Sequence, residues 1–152
     1  MPSRRQLVVT ILLMALLPAA VYAAPVAYPP DRTALTLITR DGSRLSFSLA
    51  DLQRLPQRTL KMSDAQGKVQ QWIGVPLDEL LTLTAADAAD RPLRVAALNH
   101  YSVIIPAEDI RRYRPLVAYL RDGHYLSILD YGPLQLLYPF DDYPELHKQS
   151  FY

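Results

Sequence analysis

The most informative stretch of this chain runs Gln71-Trp72-Ile73-Gly74-Val75-Pro76-Leu77-Asp78-Glu79-Leu80-Leu81. Aromatic and β-branched residues in its first half predict a strand over Val69 to Ile73. Pro76 is suited to the first position of a helix, and two acidic residues follow in the first turn, where the helix dipole favours them. Three leucines then recur on one side of that helix. The stretch therefore predicts a strand that passes directly into a short helix.

The residues before this stretch predict a hairpin, a helix and another strand. Apolar residues alternate with polar ones on either side of Asp41-Gly42, a pair typical of a tight hairpin turn. Ser48 is a good cap for a short helix that Pro56 would end. Thr59 to Met62 is strand-like, and a turn containing Gly67 leads from it into the strand that carries Trp72.

The residues after this stretch predict further short strands around one more helix. Asn99-His100 is suited to a tight turn, and Pro106 begins a short helix with acidic residues early and arginines late, as the helix dipole favours. The predicted strands are Arg94–Leu98, Tyr101–Ile105, Leu116–Leu120, Tyr125–Leu129 and Leu134–Tyr138. Short strands with two or three short helices between them indicate one mixed α+β domain over residues 33–140.

The two ends of the chain differ from this domain. Arg4 and Arg5 precede an apolar run from Leu7 to Leu17, and small residues follow, which is the order of a secretory signal peptide with cleavage after Ala23. The run is too short to span a bilayer. We therefore expect residues 1–23 to be removed and the rest to be periplasmic, without direct membrane insertion. Residues 24–32 are interpreted as a flexible leader and residues 141–152 as an acidic tail.

The composition excludes several kinds of chemistry. The chain has no cysteine, so disulfides, thiolate nucleophiles and thiolate-bound metals are excluded. Its formal net charge is +1, which is too weak to attract nucleic acid over a distance. His100, His124 and His147 are not spaced as a helical zinc pair or a histidine cluster. No serine-nucleophile elbow or phosphate-binding glycine loop occurs, so we predict no catalytic residues and no metal site.

Three motifs carry a family resemblance. The stretch around Trp72 resembles the W-x-G-V-P-L-x-x-L-L motif of the sulfite-oxidase-fold, molybdopterin-binding family. Asn99-His100-Tyr101-Ser102-Val103 with Ile105-Pro106 resembles the N-D-Y-x-V-x-I-P stretch of its small exported members, and Gly132-Pro133-Leu134 through Tyr138-Pro139 resembles their G-P-L-x-x-x-Y-P stretch. The similarity covers residues 35–139 and implies a sulfite-oxidase-like fold.

The chain departs from the family's enzymes at the position that binds the metal. Those enzymes use a cysteine thiolate upstream of the tryptophan motif, and Met62 stands at the corresponding place here. A thioether is neutral and a weak donor, so molybdenum-dependent oxidation is not expected. His100 replaces the usual aspartate, and the chain stops at Tyr152, before the final tryptophan-containing strand of its relatives.

The resemblance implies a binding function rather than catalysis. Some small exported relatives without the cysteine bind a free reduced pterin and relay its presence to a membrane enzyme of cyclic-di-GMP metabolism. We therefore expect a non-catalytic pterin-binding regulator whose partner is the periplasmic domain of a membrane signalling protein. Two alternatives remain open: an accessory or molybdopterin-binding subunit of a periplasmic redox system, and a ligand-free protein–protein adaptor.

Five residues are candidates for contact with the ligand: Trp72, Asn99, His100, Tyr101 and Tyr138. Trp72 would stack on a flat ring, although a buried tryptophan is equally well explained as core. Asn99 would pair with the donor–acceptor edge of a pterin, or else bond its own turn. His100 is a candidate because it lies in a turn between strands, where side chains can project into a pocket, although an exposed turn histidine commonly has no role. The tyrosines are expected to pack in the core and at its rim, with Tyr101 and Tyr138 as the exceptions.

Overall fold

The computed structural model describes residues 27–84 and 90–148, without the side chains of residues 147 and 148. The predicted signal peptide, residues 24–26 of the leader and residues 149–152 of the tail lie outside this part of the chain. In chain order the regular elements are β1 (Thr33–Ile38), β2 (Arg44–Ser48), α1 (Leu49–Leu52), β3 (Arg58–Ser63), β4 (Val69–Pro76), α2 (Leu77–Leu81), β5 (Leu93–Ala96), β6 (Ser102–Ile105), α3 (Ala107–Tyr113), β7 (Leu116–Arg121), β8 (His124–Tyr125) and β9 (Gln135–Leu137). The α+β class predicted from the sequence is confirmed.

A five-stranded antiparallel sheet lies at the centre of the domain. Its strands follow the order β3-β4-β7-β8, and β9 pairs with the first half of β7 while β8 pairs with its last two residues. Two separate hairpins, β1–β2 and β5–β6, lie outside this sheet. The sequence motif around Trp72 therefore runs through β4, the strand between β3 and β7, into α2.

Two apolar clusters lie on opposite faces of this sheet, because successive side chains of a strand point to opposite sides. Ile73 and Val75 of β4 belong to the larger cluster, which the three helices and both hairpins cover. Trp72 belongs to the smaller cluster with Leu60, Leu116, Ala118 and Leu126, and Met62 and Leu137 pack at its margin. The smaller cluster marks the sheet face that we call the Trp72 face.

Local capping explains where the helices begin. The Ser48 hydroxyl accepts a 3.1 Å hydrogen bond from the Asp51 backbone N–H, and the Asp51 carboxylate accepts one of 3.0 Å from Ser48 N–H. This reciprocal pair is a capping box at the start of α1. Pro76 and Pro106 precede α2 and α3, as predicted.

An ion pair ties α3 to the start of α2. Arg114 caps α3 in a left-handed conformation and donates from Nε to Asp78 Oδ2 at 2.7 Å and from Nη2 to Glu79 Oε1 at 3.4 Å. Two separate helix dipoles would by themselves account for the positions of these charges along the chain. In the fold, the basic end of one helix meets the acidic beginning of the other, so each group also neutralises its counterpart.

The predicted strand Tyr125–Leu129 is wrong. In this part of the chain, Tyr125 and the preceding His124 pair with β7, whereas Ile128–Asp130 forms a 3₁₀ helix. The Ser127 hydroxyl accepts a 3.2 Å bond from Asp130 N–H, and the Ser127 carbonyl accepts one of 2.7 Å from Gly132 N–H. These local hydrogen bonds take the place of the inter-strand hydrogen bonds that a strand would make. Serine side chains commonly compete with regular secondary structure by bonding nearby backbone groups.

The segment after β9 packs against the domain over Asp141–Leu146. Leu146 is completely buried in the larger cluster, and the Tyr143 ring meets the Tyr113 ring edge-on at 5.0 Å between centroids. Asp141 accepts hydrogen bonds from the Ser63 N–H at 2.8 Å and from its hydroxyl at 3.0 Å. Arg112 pairs with Glu145 at 2.8 Å. Asp141 and Glu145 of the predicted acidic tail are therefore tied to β3 and α3.

Candidate functional site

Trp72 is placed on the sheet face by its register with both neighbouring strands. It lies opposite Leu60 of β3 and opposite Arg121 of β7, and its side chain is only 6% exposed. The Arg121 guanidinium lies over the indole, with its Cζ 5.4 Å from the ring centroid. A cation at this distance from a tryptophan is attracted by the negative face of the ring.

A bulge in β7 brings Arg121 to this position. The pairing shifts between Ile73 and Gly74, so that Ile73 lies opposite Leu120 whereas Gly74 lies opposite Ala118. Without the extra residue, Leu120 would face Trp72, because antiparallel pairs advance one residue at a time on each strand. The bulge thus exchanges an aliphatic neighbour for a cationic one, a typical effect of bulges near functional sites.

Gly74 allows the close approach of strands at this bulge. A Cβ at this position would lie 2.1 Å from the Val117 carbonyl oxygen and 2.6 Å from the Ala118 Cα. No side chain fits against backbone atoms at these distances, so the glycine of the tryptophan motif has a packing function.

Met62 and Gln70 border the tryptophan on the same face. They lie opposite each other in the β3–β4 register, both are half-buried, and Met62 packs against the Trp72 cluster. The Met62 thioether is the sulfur group at this margin of the Trp72 cluster. A neutral thioether does not meet the ligand requirement of high-valent molybdenum, so the residues present do not fit that metal.

Arg58 and Asp78 lie near the end of β4, where α2 begins. Arg58 lies opposite Gly74, and burial, followed by the nearby Arg114, holds the pKa of its guanidinium below the ordinary value, with partial compensation from Asp78. Arg58 Nη2 and Asp78 Oδ1 are both buried and have no hydrogen-bond partner among the residues that the structure describes. Both atoms are shielded from solvent, so neither lines an open surface.

Three predicted ligand residues lie in the exposed turn between β5 and β6. The Asn99 side-chain oxygen accepts a 3.1 Å bond from Tyr101 N–H, and His100 adopts a left-handed backbone conformation with φ of 66°. All three side chains are exposed. The asparagine thus stabilises its own turn, as one of the two interpretations of this residue predicted.

Tyr138 lies in the larger cluster and not on the Trp72 face. Its hydroxyl donates to Asp109 Oδ2 at 3.3 Å, and burial, reinforced by Asp109, raises the pKa of this phenol. Because Leu137 pairs with Leu116 and Trp72 pairs with Arg121, Tyr138 and Trp72 are near opposite ends of β7, roughly 15 Å apart. The structure therefore does not bring the five predicted ligand residues together at one site.

The residues that do accompany Trp72 were not singled out by sequence reasoning. In the sequence, Met62 stands out only as the replacement for cysteine, and no motif marks Arg58, Gln70 or Arg121. Strand alternation places Arg58 and Met62 on the same face as Leu60, a signal available in the sequence. The position of Arg121 depends on the bulge, for which the sequence of β7 offers no comparable signal.

Two surface clefts lie elsewhere. A cleft of about 400 Å³ is lined by Thr39, Arg40, Asp41, Ser43, Leu45, Leu83 and Thr84, and one of about 350 Å³ by Ala27, Tyr28, Pro29, Arg32, Ile128 and Leu129. Neither cleft includes a predicted ligand residue. Over residues 27–84 and 90–148, no three acidic, histidine or cysteine side chains are grouped as a metal site. In the same part of the chain, every helix is too short or too polar to cross a membrane.

Comparison with known proteins adds no assignment. No protein-family model matches the chain, and no curated protein matches it either.

Proposed function

We propose that this protein is an exported, non-catalytic pterin-binding regulator with a sulfite-oxidase-type fold. The observation that carries the proposal is the composition of the Trp72 face. One side of one sheet presents an indole, a thioether, a primary amide and two guanidinium groups, contributed by β3, β4 and β7. The three sequence motifs described above are the second support.

These groups suit a flat heterocycle that carries both donors and acceptors. Arg121 is half-buried above Trp72, and a planar guanidinium stacks on a second flat ring while it rests on the first. Gln70 supplies an amide, which donates and accepts, and Arg58 supplies a donor for a carbonyl. Trp72 would then act chiefly as the rigid support that holds Arg121 flat.

Met62 is the reason for proposing binding without catalysis. The oxidative chemistry of the related enzymes depends on a metal held by an anionic sulfur, and the chain has no cysteine. A fold can persist after its reaction is lost, and its binding surface then serves another purpose. Of the two functions, oxidation at a metal and recognition of the pterin, these residues can perform only the recognition.

The proposed partner is the periplasmic domain of a membrane signalling protein, of the cyclic-di-GMP type. Relay requires only that this partner prefers either the ligand-bound or the ligand-free domain. The Trp72 face includes residues from the three central strands, so a ligand bound there would stiffen the sheet as a whole. Such stiffening is itself sufficient to couple two surfaces.

Ligand binding by the purified protein tests this proposal. We would titrate the protein anaerobically with tetrahydropterin and dihydropterin by calorimetry, without added metal. We expect dissociation constants of about 1 µM or tighter, corresponding to roughly −8 kcal/mol. Arg121→Gln should weaken binding at least tenfold, because it removes the stacking cation without opening the core.

The matched control is Arg111→Gln, which removes an exposed arginine that pairs with Asp90 at 2.9 Å, away from the Trp72 face. This variant should bind like the wild type. Absence of pterin binding by a folded wild-type protein would refute the proposal, and equal weakening by both variants would refute the assignment of the site.

A second candidate function, a protein–protein adaptor, is favoured by exposed apolar side chains. Leu129 within the 3₁₀ helix and Tyr131 directly after it are each 86% exposed, and Leu98 is 80% exposed near Tyr101 in the β5–β6 turn. Grouped exposed apolar residues commonly mark interaction sites. An adaptor would lose its partner in Leu129→Ser with Tyr131→Ser, and would keep it in Arg121→Gln whether or not a pterin is present.

A further inference from the structure

Met62 carries the single sulfur atom of residues 24–152. The whole chain has three methionines and no cysteine, and the other two methionines, Met1 and Met14, lie in the predicted signal peptide. Both would be removed with that peptide, so an oxidant that attacks sulfur would meet one target in the exported domain. The product at a methionine is the sulfoxide, which is polar where the thioether is apolar.

The Met62 side chain is accessible from one side and packed against the core on the other. Among the described strands, β3 stands at the edge of the five-stranded sheet, and Met62 near its end is half-buried. The side chain packs against the apolar cluster that contains Trp72. A change in the polarity of this sulfur therefore acts directly on the contacts of that cluster.

Gln70 supplies a hydrogen-bond donor for the oxidised side chain. It lies opposite Met62 in the β3–β4 register, and residues paired in this way have Cβ atoms about 4.5–5.5 Å apart. Its Nε2 donates to Asp64 Oδ2 at 3.4 Å, which is longer than is usual for such a bond. Because an amide nitrogen carries two hydrogens, Gln70 can donate one of them to a sulfoxide oxygen.

We propose that Met62 is a site of reversible oxidation, at which a hydroperoxide changes the packing of the Trp72 face. The sulfur lone pair attacks the terminal oxygen of the hydroperoxide, so that a sulfur–oxygen bond forms and the O–O bond breaks. The thioether loses two electrons, and the hydroperoxide is reduced to an alcohol, or to water from hydrogen peroxide, as its proton moves to the leaving oxygen. The Gln70 amide then donates to the new oxygen, and the apolar cluster loses its contact with the sulfur.

Hydrogen peroxide treatment of the purified protein, followed by peptide mapping with mass spectrometry, tests the site. The mapping distinguishes oxidation at Met62 from oxidation at Met1 or Met14 where residues 1–23 are retained. In the folded wild type we expect Met62 to gain one oxygen, the Trp72 emission to move to longer wavelength, and Tm to fall by about 4 °C or more. Methionine sulfoxide reductases that together act on both epimers should reverse all three changes.

Three variants separate the contributions of the two paired residues. Met62→Leu keeps a similar apolar volume, so peroxide should leave its emission and its Tm unchanged. Gln70→Leu removes the donor for the sulfoxide oxygen, so oxidation should lower Tm about twice as much as in the wild type. Gln71→Leu is the matched control, because Gln71 is exposed and the next residue along a strand points to the other face. It should respond to peroxide as the wild type does.

The outcomes that contradict the proposal are distinct. If Met62 in the folded protein resists peroxide under conditions that oxidise it in urea, the sulfur is inaccessible and the site is wrong. If Met62 is oxidised while both the Trp72 emission and Tm stay constant, the modification does not act on the Trp72 face. Equal losses of Tm in Gln70→Leu and Gln71→Leu would remove Gln70 from the proposal.

The test remains decisive where Met62→Leu fails to fold, because reversal by the reductases is measured in the wild type. No pterin is present in any of these measurements. Their failure would therefore leave the proposed pterin-binding function standing, and absence of pterin binding would leave the oxidation site standing.

Discussion

Replacement of Gly74 by alanine tests how closely β4 and β7 approach each other. The added Cβ would lie 2.1 Å from the Val117 carbonyl oxygen, 2.6 Å from the Ala118 Cα and 2.7 Å from the Val117 carbonyl carbon. All three are backbone atoms of a buried central strand. No side-chain rotation relieves these contacts, so the two strands must move apart or the bulge must be lost.

The expected cost follows from this geometry. Overpacking in a core costs about 1–3 kcal/mol where side chains can adjust. Here the backbone must shift, and the shift disturbs Trp72 and Val75 on both faces, so we expect a loss of about 3 kcal/mol or more. That is a large part of the roughly 5–15 kcal/mol by which domains are stable. At this size it corresponds to a fall in Tm of about 12 °C.

Urea unfolding followed by the fluorescence of Trp72, the single tryptophan, measures the effect. Gly67→Ala is the matched control, since nothing lies within 4 Å of its Cβ position but its φ is +78°. It should lose about 1 kcal/mol, the cost of a left-handed conformation for alanine. A loss in Gly74→Ala no greater than that in Gly67→Ala would show that the close approach of the strands does not limit stability.

Two further predictions concern the residues that close the larger cluster. Leu146→Ala should destabilise the protein by about 2–5 kcal/mol in chemical denaturation, because Leu146 is completely buried; a loss below about 1 kcal/mol would contradict the packing of the segment Asp141–Leu146. Tyr138 has a raised pKa in the folded protein, chiefly through burial and then Asp109, so the folded state holds the phenolic proton more tightly than the unfolded state does. Its contribution to stability is complete below the ordinary tyrosine pKa of about 10 and is lost as the pH rises above it. In unfolding experiments from pH 8 to 11, Tyr138→Phe should therefore lose less stability than the wild type, and an identical decline would count against this assignment.

The elements that the sequence predicted well are those with local causes. The Asp41-Gly42 turn joins β1 to β2 as expected, and Ser48 caps α1. Pro76 and Pro106 precede helices at the predicted positions. Turn conformation, capping and proline geometry depend on a few neighbouring residues, so a short window of sequence contains the information.

The candidate site was predicted only in part. Trp72 was identified from its motif, and it does lie at the centre of a distinct sheet face. Asn99, His100 and Tyr101 were grouped with it, but they occupy an exposed turn of a separate hairpin. Motif matching shows which residues accompany one another along the chain, whereas a binding site requires them to converge in space.

Composition and local pattern were thus sufficient for the α+β class, for most turns and helix starts, and for the exclusion of thiolate chemistry. The partners of Trp72 were decided by tertiary structure alone. A single extra residue in β7 sets Arg121 opposite the indole, and the meeting of α3 with α2 directs one Asp78 oxygen to Arg114. Both results depend on register and packing between segments that are 36 or more residues apart. Such long-range pairings are set by the burial of the whole sheet and not by any local sequence.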